Sequence, residues 1–91
     1  MQTIYKYRLE LQPVQIVKLP LKRVLTIQIQ DGTPCLWALV DTNELEIPLA
    51  VFLAGTGTQD GNDYERLKYI STTQLGGFVF HWFCETPKEV M

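Results

Sequence analysis

The stretch that decides the fold is VLTIQIQDGTPCLWALV, residues 24–40. Residues 23–30 alternate apolar and polar side chains, which is typical of a β-strand with one face in water. Asp31-Gly32 follows at once, and this dipeptide tolerates the positive φ angles of a tight hairpin turn. Residues 35–40 are apolar on both faces, which indicates a central strand covered from two sides or a face engaged by a partner. The sequence therefore predicts a β-hairpin whose second strand is covered on both faces, by its own chain or by a partner.

The same period of two recurs outside this hairpin, interrupted by glycine and proline at intervals of about ten residues. No window carries an apolar stripe at helical spacing. We predict an all-β fold, a small antiparallel β-sandwich or barrel of about seven short strands in a single domain, residues 1–91. The predicted strands are residues 3–11, 14–19, 23–30, 35–40, 45–53, 68–74 and 78–85, with a helical turn at 64–67, and Pro87 is expected to end the ordered part.

Composition excludes several classes of protein. The chain has 91 residues and a formal charge of −2, so neutralisation of many DNA phosphates is not expected. It carries neither a signal peptide pattern nor an apolar run of about 18–20 residues, and we expect a cytoplasmic protein without membrane contacts. Cys35 and Cys84 are expected to be free, buried thiols, and with one histidine they are too few for a zinc site. No cofactor is expected.

The chain has few residues of the types that most often form a nucleophile with its base, namely serine, cysteine and histidine. His81 is the only histidine and Ser71 the only serine, and nothing in their spacing suggests a nucleophile with its base. Cys84 and His81 point to opposite faces of one strand, whereas a pair of Cys35 with His81 stays open beside the structural interpretation of a core thiol and a hydrogen-bonded imidazole. Residues 60–63, Asp-Gly-Asn-Asp, lack the calcium-loop pattern and favour a turn. We predict that the protein is not an enzyme and holds no metal.

Four segments of the chain together resemble a known family. They are residues 3–7, 24–41, 55–57 and 76–83, and the most specific is Gly-Thr-Pro-Cys-Leu-Trp-Ala-Leu-Val at residues 32–40. Across nearly the whole chain the sequence resembles a family of small uncharacterised proteins of tailed phages and prophages. The resemblance implies a phage gene that acts in the host cytoplasm, and it implies no catalytic or binding residues. Family members often read Gly-Thr-Gly-His-Pro where this chain has Gly-Thr-Gly-Thr-Gln at residues 55–59, so any role of that histidine is absent.

A glycine-threonine segment is the candidate ligand site. Glycines allow backbone N–H groups to converge on an anion, and threonine hydroxyls add donors. The segment lacks the lysine of a phosphate-binding loop, and a plain flexible loop is the alternative. An arginine nearby would complete a pocket for a nucleotide phosphate. Lys6 shares the predicted outer face of the first strand with one candidate arginine, and a solvated basic face is the alternative interpretation of these residues. The candidate ligand-binding residues are Gly55, Thr56, Gly57, Thr58, Arg8 and Arg23.

The strand at residues 78–85 has no polar side, and a chain this short has little capacity to cover two such strands on both faces. We therefore expect a homo-oligomer, with burial inside a closed barrel as the alternative. The candidate interface residues are Trp37, Phe78, Phe80 and Trp82.

These observations lead to one hypothesis of function and two alternatives. The chain is expected to be a non-enzymatic phage-type binding protein, a host-defence antagonist that sequesters a nucleotide second messenger as an oligomer. The first alternative is an inhibitor that binds a host defence protein through an exposed strand or an aromatic patch. The second is a minor phage structural accessory.

Overall fold

A computed structural model describes residues 1–86. This part of the chain forms seven strands and one 3₁₀ turn, which confirms the all-β prediction. The elements are β1 (Gln2–Arg8), β2 (Val14–Leu19), β3 (Leu21–Gln30), β4 (Thr33–Asp41), β5 (Ile47–Gly55), the 3₁₀ turn (Tyr64–Arg66), β6 (Lys68–Leu75) and β7 (Phe78–Glu85). Within residues 1–86, no helix has the length and apolarity needed to cross a membrane. Pro87 lies outside the described residues.

The strands form two antiparallel sheets that stack as a sandwich. One sheet has three strands in the order β1-β4-β3, and the other has four in the order β2-β5-β7-β6. The two strands without a polar side, β4 and β7, are both interior strands of their sheets. A strand in the middle of a sheet pairs along both edges, and the inner faces of these two strands pack into the core between the sheets.

Several predicted strand boundaries are wrong: β3 and β4 each begin two residues earlier than predicted, and β1 and β5 differ as follows. The first strand was expected to reach residue 11, but β1 ends at Arg8, which pairs with Cys35 near the start of β4. Because β4 begins at Thr33, it can pair with at most two residues beyond Arg8, and residue 11 has no opposite residue in β4. The fifth strand was expected to start at Leu45, but that side chain is 89% exposed and precedes β5.

Turn residues behave as the sequence predicts. Asp31 and Gly32 have φ angles of 51° and 76°, the pattern of a type I′ hairpin turn between β3 and β4. Pro48 lies at the start of β5, where the strand pairs with Lys18 of β2, while the described pairing with β7 begins only at Ala50. The proline therefore removes no hydrogen bond from the β7 side of this interior strand.

The core lies between the two sheets. Trp82 is its largest fully buried side chain, and the indole N–H donates to Thr73 Oγ1 at 2.9 Å, so the buried donor is satisfied. The other buried residues of this cluster are Leu9, Leu19, Ile27, Leu36, Ala38, Val40, Leu49, Val51 and Cys84. Alternation along β4 sends Leu36, Ala38 and Val40 inward and leaves the odd-numbered positions on the outer face.

One side of the sandwich is closed by β3 and β6, which pack against each other. Both strands carry register shifts, typical of β-bulges, near this contact. Ser71 joins the two sheets, because its Oγ accepts the backbone N–H of Ile27 at 2.9 Å and lies 3.1 Å from Thr26 Oγ1. The other two edge strands, β1 and β2, are not paired with each other within residues 1–86, and we call the side of the sandwich that carries their edges the open side.

Candidate functional site

The outer face of the three-stranded sheet presents a row of basic and amide side chains around an aromatic residue. Strand pairing places Arg8 opposite Cys35 and Lys6 opposite Trp37, all on this face. Residues directly opposite in an antiparallel pair share a face, and positions two apart on one strand are separated by about 6.6 Å. Lys6 and Arg8 therefore lie side by side, next to the partly exposed ring of Trp37.

A cavity of about 150 Å³ lies beside these two cations. It is lined by Lys6, Arg8, Gln30, Asp31, Thr33 and Cys35. The exposed Lys6 ammonium group donates to Gln30 Oε1 at 2.6 Å, which joins the lysine to another residue of the cavity lining. Cys35 is only 2% exposed, and its thiol donates to the carbonyl of Thr33 at 3.5 Å, so it forms the floor.

A wider cavity continues around the end of the sheet. Its volume is about 610 Å³, and its lining is Arg8, Leu9, Glu10, Leu11, Gln12, Gly32, Thr33 and Pro34. Arg8 and Thr33 line both cavities, so a ligand in either one meets the same guanidinium and hydroxyl groups.

The positive charges of Lys6 and Arg8 are not neutralised by ion pairs within residues 1–86. The ion pairs among residues 1–86 join the Met1 ammonium to Asp41 and Lys22 to Glu44. Lys6 and Arg8 therefore have no carboxylate partner within the described chain. The carboxylate-bearing residues that line the cavities are Asp31 and Glu10, one in each. An anion placed between Lys6 and Arg8 would gain two charge-assisted hydrogen bonds.

The second predicted arginine lies elsewhere on the same sheet. Arg23 pairs with Leu39 of β4, four residues along that strand from Cys35, which is about 13 Å. Arg23 lines neither cavity beside Arg8.

The glycine-threonine segment ends β5 on the four-stranded sheet. The Thr58 N–H donates to the Gly55 carbonyl at 3.1 Å, which closes a tight turn, and the φ of +82° at Gly57 meets the demand of that turn. The hydroxyl of Thr56 lies 2.8 Å from His81 Nε2, so it is engaged by the protein itself. The segment shares no hydrogen bond or ion pair with Arg8 or Arg23 in the described chain and lines neither cavity beside Arg8.

A chain of side-chain hydrogen bonds continues from this turn across the outer face of the four-stranded sheet. His81 Nδ1 lies 3.1 Å from Thr72 Oγ1, and the Thr72 hydroxyl lies 2.7 Å from Tyr69 Oη. Beside it, Tyr64 packs on Phe83 with ring centroids 4.9 Å apart. The imidazole is thus hydrogen-bonded, as the structural interpretation proposed, but on the outer face rather than in the core.

The candidate nucleophiles are held in structural positions. Cys35 and His81 lie on different sheets, and each points to the outside of its own sheet, so they form no pair. Ser71 is buried between the sheets, and burial raises the pKa of the Cys84 thiol, which disfavours its reactive thiolate. Both cysteines are free and buried. Among residues 1–86, no group of three or more metal-ligating side chains is close enough to bind a metal ion.

The acidic loop forms the predicted turn. Asp60 Oδ1 accepts the N–H of Asn62 at 3.0 Å, and its other oxygen accepts the hydroxyl of Tyr64. These two hydrogen bonds, the tyrosine hydroxyl first, lower the pKa of the Asp60 carboxyl.

The predicted interface residues do not form one surface. Trp82 is fully buried within a single chain, and Phe80 packs against the same core. Phe78 is 68% exposed at the end of β7, where its ring stacks on Phe80. Trp37 lies on the outer face of the other sheet.

Sequence reasoning missed Lys6, Gln30 and Thr33 as members of a site. The alternation of residues 3–11 put Lys6 on the face of Arg8, and Gln30 and Thr33 flank the Asp31-Gly32 turn. Only the pairing of β1 with β4 brings these signals together.

A comparison with family models finds one match, a domain of unknown function, DUF7352, over residues 1–91. No curated protein matches the chain. No solved structure matches it either.

Proposed function

We propose, from the geometry of the site, that the protein is a non-catalytic binding protein that holds a nucleotide phosphate between Lys6 and Arg8. The chain belongs to the family DUF7352, whose description assigns no chemistry. The observation that carries this proposal is the pair of cations on one strand face, beside a cavity of about 150 Å³ and without ion-pair partners in the described chain. Guanidinium and ammonium groups in this arrangement suit a phosphate.

Neighbouring groups favour a nucleotide over a bare anion. Trp37 lies opposite Lys6, in the pair next to Arg8 and Cys35 on the same face of the sheet. Its ring is partly exposed and is suitable for stacking on a nucleotide base. Gln30 and Thr33 add an amide and a hydroxyl for directional hydrogen bonds.

The resemblance to phage proteins supplies the biological context of the proposal. In that context the protein acts in the host cytoplasm as an antagonist of defence, and it lowers the free concentration of a nucleotide signal by binding it. Sequestration requires stoichiometric binding and no turnover, which agrees with the buried serine and the separated cysteine and histidine.

The test is a calorimetric titration of the purified chain with ADP, and with adenosine as the ligand without phosphate. We expect ADP to bind and adenosine to bind at least about tenfold more weakly, because the charge-assisted bonds go to the phosphates. Arg8→Gln should weaken ADP binding by about 10- to 100-fold. Arg23→Gln removes the same charge from the same sheet face and should leave the affinity within about twofold, so it is the matched control.

Three outcomes would contradict the proposal. The first is that ADP does not bind and that native mass spectra of the freshly purified protein show no nucleotide, which would contradict a nucleotide as the ligand. Equal losses in Arg8→Gln and Arg23→Gln would show unspecific attraction. A loss in Thr56→Val or Thr58→Val, with Arg8→Gln unchanged, would move the site to the turn at the end of β5.

A further inference from the structure

Within residues 1–86, the outer edge of β1 has a row of backbone hydrogen-bonding groups without a partner. Leu9 donates its N–H to the carbonyl of Pro34 at 2.9 Å, and Thr42 donates to the carbonyl of Met1 at 3.0 Å. In an antiparallel pair these bonds alternate, so odd-numbered residues of β1 face β4. The N–H and C=O groups of Gln2, Ile4, Lys6 and Arg8 consequently point away from the sheet.

This edge carries neither a bulge nor a proline, and the charges of Lys6 and Arg8 are the protective feature that it does have. Its register with β4 runs without a shift from Gln2 to Arg8, whereas β3 and β6 carry bulges and cover each other. The second open edge, β2, is bracketed by Pro13 and Pro20. On β1, Ile4 is 57% exposed and Tyr5 is 46% exposed.

We propose that β1 pairs antiparallel with β1 of a second copy, about a two-fold axis at Tyr5, to give a dimer with a continuous six-stranded sheet. In this register Gln2 lies opposite Arg8 of the second copy, and Ile4 lies opposite Lys6 of the second copy. The outward groups of these residues then form four pairs, each of which exchanges two hydrogen bonds.

Charge and shape favour this register over its neighbours. Each basic side chain lies directly opposite an uncharged one, whereas an axis at Lys6 would place two lysines face to face. The rings of Tyr5 and Tyr7 are already 6.4 Å apart in one chain, and the two-fold axis brings the two Tyr5 rings together. The contact covers Ile4 and Tyr5, two apolar side chains that one copy leaves in water.

The dimer goes beyond the proposed function, since it forms without nucleotide and is measured separately. Sedimentation velocity of the full chain is expected to show a concentration-dependent dimer. Ile4→Lys places a lysine opposite Lys6 of the second copy and should raise the dissociation constant at least about tenfold. Adding Lys6→Glu to that variant should restore the dimer. Leu25→Lys, at an exposed position on the far edge of the same sheet, is the control and should leave it unchanged.

A cysteine scan tests the register itself. Tyr5→Cys should form an intermolecular disulfide on oxidation, because opposite residues in a pair of this type have Cα atoms about 4.5 Å apart. Thr3→Cys should not, since the two Thr3 positions are offset by about 13 Å. The native cysteines are each 2% exposed and offer little competition.

Three results would overturn the dimer. The first is a wild-type monomer at about 100 μM, a concentration about a hundredfold above a dissociation constant of 1 μM. That result would leave the edge free for a strand of another protein. The second is a dimer lost equally in Ile4→Lys and Leu25→Lys. The third is a disulfide in Thr3→Cys but not in Tyr5→Cys.

Discussion

The two sides of the sandwich differ in how their edge strands are covered. On the closed side, β3 and β6 carry bulges, pack together and share the hydrogen bonds of Ser71 with Thr26 and the Ile27 amide. On the open side, β1 and β2 keep regular edges, and the exposed apolar side chains there are Ile4, Tyr5, Leu11, Val14 and Ile16.

The closed side therefore contributes to the stability of the fold, whereas the open side is available for contacts with other molecules. The hydrogen-bonding groups of Ser71 and Ile27 on the closed side have partners within one chain, so the loss of a partner lowers the free energy of unfolding. Apolar groups on the open side are in water, so their replacement changes contacts with other molecules more than it changes folding. Three substitution experiments measure this separation.

The largest effect is expected from a matched pair of isoleucines. Ile27 is fully buried on β3, and Ile4 is 57% exposed on β1. Ile27→Ala should lower the free energy of unfolding by about 2–5 kcal/mol, because it leaves a cavity in the core. Ile4→Ala should change it by no more than about 0.5 kcal/mol. Urea unfolding in dilute solution measures both, and equal losses would contradict the division between the two sides.

A smaller effect is expected from the hydrogen bond that closes the sandwich. Ser71→Ala leaves the buried N–H of Ile27 without an acceptor and should cost about 1–3 kcal/mol. It should also speed hydrogen exchange at that amide. Thr72→Ala, at the next residue, removes exposed hydrogen bonds and should cost less than about 1 kcal/mol. Unchanged exchange at Ile27 in Ser71→Ala would show that the bond does not hold this side together.

The smallest effect concerns the start of β1. The Asp41 carboxylate accepts hydrogen bonds from the Met1 ammonium and the Asn43 amide, and these lower its pKa below the ordinary 3.8. A lowered pKa adds stability that is present above pH 3.8 and is lost as the pH falls through the lower folded value. At pH 7, Asp41→Asn should unfold at slightly lower urea than the wild type, and the difference should vanish well below pH 3.8.

Asp63→Asn is the control for that titration, because the Asp63 side chain makes no capping hydrogen bond at the 3₁₀ turn. A loss of equal size in Asp63→Asn would assign the effect to net charge. A difference between Asp41→Asn and wild type that persists at low pH would assign it to packing.

Strand positions were predictable because their signal is local. Alternation and the Asp31-Gly32 turn located the hairpin, and the apolar run at residues 35–40 favoured the central position that β4 occupies. The similar run in β7 was interpreted as an interface between copies, and β7 is an interior strand of its sheet. The end of β1 was missed because it depends on where β4 begins, which is a property of the pairing. The bulges of β3 and β6 were missed because a bulge is defined by two residues opposite one on the partner strand, which is again a property of the pairing.

Site residues were less predictable, because a site depends on register between distant segments. The sequence selected Arg8, and only the pairing with β4 brings it to Thr33 and Cys35. The sequence also selected Thr56, but its engagement with His81 depends on the pairing of β5 with β7. Residue type alone did not distinguish a hydroxyl facing a ligand from one already bound by the protein.

Alternation along β1 and β4 has a consequence for how this surface changes over time. Because Lys6, Arg8 and Gln30 point away from the packed interior, their replacement leaves the neighbouring core side chains untouched. Successive generations can exchange these side chains one at a time at little cost in folding. The fold therefore permits rapid drift in what the face recognises while the hidden layer beneath it stays constant.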